Sequence, residues 1–156
     1  MKRNHYSAGT VKLSFWFSEF RKVIGLLNSG KTLLEIKKMN LEENIFSAPS
    51  QARAIRIFNT VSTRVKSLDQ SFYTLFEESD ISNQKVIALI AVMQSDSLFF
   101  DFVYEVYREK LIIGTNELAD SDFGIFFKDK QIQNEKVAKW QDYTLKRLGN
   151  CYKTML

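Results

Sequence analysis

Apolar residues recur along the chain with the spacing of one side of an α-helix rather than in strict alternation. Thr32 and Glu35 form a Thr-x-x-Glu capping box, which predicts that a helix begins after Thr32. Gly30 supplies a residue that can end the helix before it. That earlier helix is predicted from apolar positions that share one side: Trp16, Phe20, Val23, Ile24 and Leu27.

The same spacing and further capping residues predict helices in the rest of the chain. These helices are predicted to begin after Ser50, at Asp96, at Ser121 or Asp122, and at Asp142. Residues 86–93 are apolar on all sides and form either a buried helix or a buried strand, and their alanines favour a helix. With one proline and no Asn-Gly or Asp-Gly pair, the chain carries little hairpin chemistry. We therefore predict an all-α fold, a compact multi-helix globular domain over residues 1–156.

Length and composition exclude several function classes. A chain of 156 residues is long enough for one domain with a sizeable core. One cysteine, Cys151, and one histidine, His5, exclude a disulfide framework and a metal site built from those residue types. We expect no catalytic residues, no cofactor and no metal. The longest apolar run is far shorter than the ~20 residues of a membrane-spanning helix, so we expect a soluble, cytoplasmic monomer.

Charge is distributed unevenly along the chain. Residues 1–66 carry a balance of +8, residues 67–135 a balance of −8, and residues 136–156 a balance of +4. Two basic segments that flank an acidic one indicate a polyanionic partner. The alternative is a mixed surface on which the segments neutralise one another.

A phosphate-loop motif occurs once, at residues 25–32, which read Gly-Leu-Leu-Asn-Ser-Gly-Lys-Thr. In such a motif Lys31 would bind nucleotide phosphates and Thr32 would bind Mg²⁺. The motif requires a buried strand directly before it, whereas the preceding residues have the spacing of a helix. We therefore consider nucleotide binding the weaker interpretation. In the stronger one, Gly25 allows close helix packing and Gly30 ends a helix.

The helix predicted after Pro49 carries a basic side opposite its apolar side, and no acidic residue occurs between Ser50 and Leu68. The residues of this basic side are Arg53, Arg56, Thr60, Thr63 and Arg64. Arginine can bind phosphate or a guanine edge with two hydrogen bonds, and threonine can contact either. With the preceding helix, which carries Lys37 and Lys38, it would form a loose helix-turn-helix whose turn, residues 41–47, is longer than usual.

The C-terminal helix carries a second basic side. Its residues are Tyr143, Lys146, Arg147, Asn150 and Lys153. Together with the helix from Ser121 and a short segment around Val137, it predicts a second helix-turn-helix. Two such sides in the two basic segments favour nucleic-acid binding over two merely solvated faces.

A set of positions spread over nearly the whole chain resembles the BrxA family of BREX (bacteriophage exclusion) systems. The positions that carry the resemblance are Tyr6-Ser7-Ala8-Gly9, Glu19, Leu27, Gly30, Glu35-Ile36, Glu43-Asn44, Arg64, Leu68, Arg108-Glu109-Lys110, Gly114, Asp122, Phe126-Phe127, Trp140 and Thr144-Leu145. The resemblance implies an all-α protein with helix-turn-helix elements that binds double-stranded DNA and is not an enzyme. It also implies that other BREX components are possible partners. Members of the family continue past the last helix, so the completeness of the second element stays open.

Three alternatives stay open beside DNA binding by Arg53, Arg56, Thr60 and Arg64. The first is a protein-interaction subunit whose acidic middle segment docks a partner. The second is an RNA-binding helical module of the NusB type, since a basic helical surface does not by itself distinguish RNA from DNA. The third is the nucleotide-binding interpretation of residues 25–32.

Overall fold

The structure is a computed structural model that describes residues 6–115 and 117–156. Within these residues the chain is helical and contains no strand, which confirms the all-α prediction. The helices form two compact units. We call Phe15–Ser95 the central unit, and we call Asp96–Leu156 together with the described residues up to Ser14 the terminal unit.

The central unit consists of five helices, and the second and third of them begin at predicted capping residues. Thr32 accepts a hydrogen bond at its Oγ1 from the backbone N–H of Glu35, 3.1 Å away, and so begins the second helix as predicted. Gly30 adopts a left-handed backbone, with φ of 102°, directly after the first helix. The five helices are α1 (Phe17–Asn28), α2 (Leu33–Glu43), α3 (Gln51–Lys66), α4 (Ser71–Glu78) and α5 (Ile81–Ser95).

The core of the central unit is centred on α3, which contributes more buried apolar side chains to it than any other helix of this unit. Residues 86–93 lie within α5, so the preference for a helix over a strand is confirmed. The rings of Phe20 and Phe76 meet edge to face in this core, with their centroids 5.6 Å apart. The buried residues of α3 in the core are Ile57, Phe58, Val61 and Val65.

The terminal unit contains one long helical run and a group of three helices. Asp96 accepts a hydrogen bond at its Oδ1 from the backbone N–H of Phe99, 3.0 Å away, which confirms the predicted cap. The run then passes through a π-helical turn that the sequence did not predict. The elements of this unit are a 3₁₀ turn (Gly9–Lys12), α6 (Ser97–Phe102), the π-helical turn (Val103–Tyr107), α7 (Arg108–Ile112), α8 (Asp120–Gln133), α9 (Glu135–Ala138) and α10 (Asp142–Met155).

A cluster of aromatic rings forms the core of the terminal unit. The ring of Phe102 stacks on Phe123, with centroids 4.7 Å apart, and meets Phe126 edge to face at 5.1 Å. Tyr152 of α10 closes the cluster, 5.5 Å from Phe102 and 5.9 Å from Phe127. Stacked and edge-to-face rings are the favoured arrangements of aromatic pairs, so this cluster holds α6, α8 and α10 together.

A buried ionic network fastens the N-terminal segment to the terminal unit. Lys130 of α8 is buried, and its Nζ lies 2.9 Å from Glu105 and 3.6 Å from Asp101. Tyr6 donates its hydroxyl hydrogen to the same Asp101. Burial lowers the pKa of Lys130, but the hydrogen bond and charge of Glu105 outweigh that effect, so its pKa lies above the usual value. Lys130 therefore remains charged, and the two carboxylates compensate its buried charge.

Tyr152 carries a polar group that its surroundings leave unsatisfied. The side chain is fully buried, and its hydroxyl has no hydrogen-bond partner among the described residues. Burial raises the pKa of Tyr152 well above 10.0, and the nearby carboxylates of Asp96 and Asp101 act in the same direction. The hydroxyl therefore costs stability that a phenyl ring would not cost.

We predict that Tyr152→Phe stabilises the protein by about 1 kcal/mol at pH 7, because it removes an unsatisfied buried hydroxyl while keeping the ring. In the wild type the unfolded chain can ionise Tyr152 above pH 10.0, whereas the folded protein cannot, so stability falls as the pH rises past that value. The variant should lose less stability between pH 9 and pH 11. Urea denaturation followed by circular dichroism measures both effects; lower stability of the variant at pH 7 would contradict this account.

Candidate nucleic-acid interface

The exposed side of α3 is the first candidate interface. Ser50 begins the helix by accepting a hydrogen bond at Oγ from the backbone N–H of Arg53, 3.2 Å away. Because one side of α3 faces the core, Arg53 and Arg56 are directed to solvent, while Thr60 is half-buried. Thr63 is exposed, but its hydroxyl already donates to the backbone carbonyl of its own helix, four residues earlier. The structure thus presents two guanidinium groups and one nearby hydroxyl on this side.

Neither arginine is neutralised by a carboxylate. Among the described residues, no Asp or Glu oxygen lies within 4.0 Å of the guanidinium of Arg53 or Arg56. The guanidinium carbon of Arg53 instead lies 5.8 Å from the centre of the Trp16 ring. Both groups therefore keep hydrogen-bond donors that could bind a phosphate.

Arg64 does not belong to this exposed side, and its predicted role as a DNA contact is corrected by the structure. The residue is 3% exposed, and its Nη1 donates a hydrogen bond to the backbone carbonyl of Phe15 at 2.8 Å. The spacing i, i+3, i+4, i+7 of the apolar side is followed by Val61, Arg64, Val65 and Leu68. Arg64 therefore lies on the buried side of α3. Its charge serves to hold the segment before α1.

The helix before α3 is α2, and it packs directly against α3. Lys37 and Lys38 of α2 are both exposed. A buried hydrogen bond of 3.0 Å from Asn40 Nδ2 to the carbonyl of Ala54 joins α2 to α3. The connection is residues 44–50, in which Asn44 adopts a left-handed backbone with φ of 46°. This connection is longer than the usual three to four residues.

The second candidate interface lies on α10, in the terminal unit. Tyr143 is 66% exposed, and Lys146 and Arg147 are exposed as predicted. The guanidinium carbon of Arg147 lies 5.4 Å from the centre of the Tyr143 ring, so these two side chains form one surface. The opposite side of α10 is buried at Leu148 and Tyr152.

A groove of about 500 Å³ runs between α8 and α10. Its sides carry Lys128, Lys146 and Lys153, and among the described residues none of these lysines forms an ion pair. Lys128 was not among the residues predicted from the sequence. The sequence signal for Lys128 is its i, i+4 spacing from Gly124, which puts both residues on one side of α8. Only the packing of α8 against α10 places that side beside Lys146. Asp120 and Asp142 also line the groove, so its three lysines border a surface of mixed charge.

The sequence candidates therefore fall into two groups, one in each compact unit. Those of the central unit are Lys37, Lys38, Arg53, Arg56 and Thr60, and those of the terminal unit are Tyr143, Lys146 and Arg147.

The phosphate-loop motif has no phosphate-loop structure. Gly25 lies inside α1 with helical neighbours, and Thr32 caps α2. No strand precedes the motif within the part of the chain that the structure describes. Because the motif cradles phosphates only between a strand and a helix, residues 25–32 give no support to nucleotide binding.

The described residues show no group of three or more His, Cys, Asp or Glu side chains that could hold a metal ion. In the same residues no single helix has both the length and the apolar character needed to cross a membrane. One bent pair of helical segments, Ile81–Ser95 with Ser97–Ile112, meets these two criteria together, by length and composition only.

These features define the class of protein as a small all-α protein with basic helical sides. The family model BrxA matches residues 4–156, and the chain belongs to the BrxA family. It is similar to the BREX protein BrxA of Bacillus cereus (strain H3081.97), with 39% identity over 152 residues that cover 97% of this chain and 76% of that protein. This membership places the chain among the proteins of BREX phage-defence systems.

The fold recurs in a more distant solved structure. The crystal structure of an uncharacterized protein from Magnetospirillum magneticum covers 97% of this chain and 77% of that one, with a TM-score of 0.76. At 18% sequence identity this likeness shows the fold alone.

We predict that Arg64→Ala lowers the free energy of unfolding by about 2 kcal/mol, because it removes a buried charge-assisted hydrogen bond to a carbonyl. Arg56→Ala is the matched control on the same helix, and it should change stability by no more than about 0.5 kcal/mol. Urea denaturation of both variants measures the difference. Equal stability of the two variants would show that the side chain of Arg64 is not held as described.

Proposed function

We propose that this chain is a non-enzymatic component of its BREX system that binds double-stranded DNA. The observation that carries the proposal is the exposed side of α3, where Arg53 and Arg56 lie without a carboxylate among the described residues close enough to neutralise them. The helix contains no acidic residue along its length. A DNA backbone would therefore meet positive charge and hydrogen-bond donors along this side.

Rigid placement of the two arginines supports the proposal. Their helix is anchored by four core residues, so the arginine Cα atoms are held one turn apart on a fixed scaffold. The rigid helix fixes the spacing of the two Cα atoms, and each arginine that neutralises a phosphate adds to the salt dependence of binding. Lys37 and Lys38 on α2, and Lys146 and Arg147 on α10, would add contacts to the DNA backbone.

The absence of an enzymatic role is part of the proposal. The chain contains one histidine, and the candidate residues on α3 and α10 are arginines, lysines, a threonine and a tyrosine without an acid–base pair. Such residues bind and orient an anion and do not by themselves transfer a proton at neutral pH.

A second candidate function, docking of a basic protein partner such as another BREX component, is favoured by one observation. A groove of about 330 Å³ in the terminal unit is lined by Glu105, Glu109, Asp122 and Asp129, with Ile125 at 63% exposure beside them. Lys130 and Lys110 pair with Glu105 and Asp122, respectively, and leave the other two carboxylates without an ion pair among the described residues. This surface would repel DNA, so it suits a different partner from α3.

We predict that the double variant Arg53→Ala/Arg56→Ala binds duplex DNA about tenfold more weakly than the wild type. The plot of log affinity against log salt concentration should also become shallower by about 2, because two phosphate contacts are lost. Fluorescence anisotropy of a labelled duplex of about 20 base pairs over a salt series measures both quantities. The matched control is Lys85→Ala/Arg108→Ala, which removes two positive charges from the acidic segment and should leave both values close to those of the wild type.

Each rival function has its own outcome in this experiment. Affinity that survives loss of both arginines would favour the protein-docking function, with DNA contact incidental. Stronger competition by single-stranded or duplex RNA than by unlabelled duplex DNA would favour the RNA-binding alternative. No salt-dependent binding by the wild type even at low ionic strength would overturn the DNA-binding proposal.

A further inference from the structure

The segment before α1 contains a backbone conformation that needs an explanation. Trp16, the residue directly before α1, has φ of 48° and ψ of 49°, in the left-handed region. A bulky residue pays a steric cost there, because its Cβ approaches the backbone carbonyl. Such a conformation persists only where the surroundings enforce it, and it is found more often at functional sites than elsewhere.

The buried Arg64 supplies part of that enforcement. Its hydrogen bond to the carbonyl of Phe15, at 2.8 Å, holds the peptide group directly before Trp16 against α3. Phe15, Trp16 and Phe17 also pack against the core of the central unit from its edge. The indole is therefore fixed relative to α3, the helix that carries the exposed arginines.

The fixed indole lies under Arg53. The guanidinium carbon of Arg53 is 5.8 Å from the ring centre, within the range in which a cation is attracted to an aromatic face. A guanidinium that lies over an aromatic ring leaves the N–H groups at its edge available for a planar, two-bond contact. Arg53 is exposed, so those N–H groups can be reached by a phosphate from solvent.

We propose that Trp16 is a positioning residue: its indole orients the guanidinium of Arg53 so that this arginine binds the phosphate backbone of DNA. The inference rests on the proposed DNA-binding function and adds a residue that lies outside α3. The two arginines on α3 then differ in how they are held, since Arg53 lies over a ring whereas Arg56 lies over none among the residues that the structure describes. Arg64 contributes indirectly, because its hydrogen bond to Phe15 holds the segment that carries the indole.

The test is a double-mutant cycle between Trp16 and Arg53, measured by anisotropy with a labelled duplex of about 20 base pairs. Trp16→Leu keeps apolar bulk but removes the aromatic face, and it should weaken binding about two- to fivefold, because the side chain of Arg53 must then be ordered when it binds. In the Arg53→Ala background the same change should have no further effect. Trp16→Phe, which restores a ring, should recover most of the lost affinity.

A spectroscopic measurement separates positioning from a structural role. In a Trp140→Phe background Trp16 is the remaining tryptophan, since the sequence contains two. Its emission should change when unlabelled duplex DNA is added, and the change should be absent when Arg53 is replaced by Ala. Phe17→Leu is the control, because the adjacent ring lies under Lys85 instead, with 5.8 Å between the ammonium nitrogen and the ring centre. This control should leave DNA affinity unchanged.

The outcomes distinguish this inference from the function on which it depends. If Arg53→Ala weakens DNA binding but Trp16→Leu does not, the positioning role is overturned and the DNA-binding function stands. If Trp16→Leu weakens binding equally with and without Arg53, or if Phe17→Leu weakens it to the same extent, Trp16 has only a structural role. If the wild type does not bind DNA, both the function and the inference fail.

Discussion

The central unit depends on a single constraint: α3 must bury one side completely while it carries four positive charges. Its apolar residues occupy the middle of the core, so the helix cannot rotate about its axis without exposing them. The 3.6-residue period of the helix then determines where each of the remaining side chains of α3 points. The basic side faces solvent because the apolar side faces the core, and the same constraint draws Arg64 inward to bond a carbonyl.

Local sequence signals predicted the starts of α2, α3 and α6 because caps are short-range interactions. The side chains of Thr32 and Asp96 each accept a backbone N–H three residues ahead, so the chemistry is complete within four residues of sequence. Apolar spacing identified the exposed position of Arg53 and Arg56 for the same reason, since neighbours on a helix are set by the period alone. The helical conformation of residues 86–93 was predicted from their alanines and from the sequence around them.

Features that depend on packing between distant residues could not be predicted in this way. Arg64 was predicted on the basic side because of its residue type, although its spacing from Val61 and Leu68 belongs to the buried side. The ring of Trp16 lies 37 positions before Arg53 in the numbering, and no local pattern joins them. The π-helical turn and the position of Lys128 beside α10 likewise depend on which helices pack together.

The attachment of Tyr6 to Asp101 has a consequence for the order in which the protein forms during synthesis. The central unit is continuous in sequence, so all of its residues have left the ribosome before the last helices of the chain are made. The terminal unit needs Tyr6 and Asp101, 95 positions apart, as well as α10. Vectorial synthesis thus favours a nascent chain in which the arginine-bearing helix is folded before α10, and with it the aromatic core of the terminal unit, has been made.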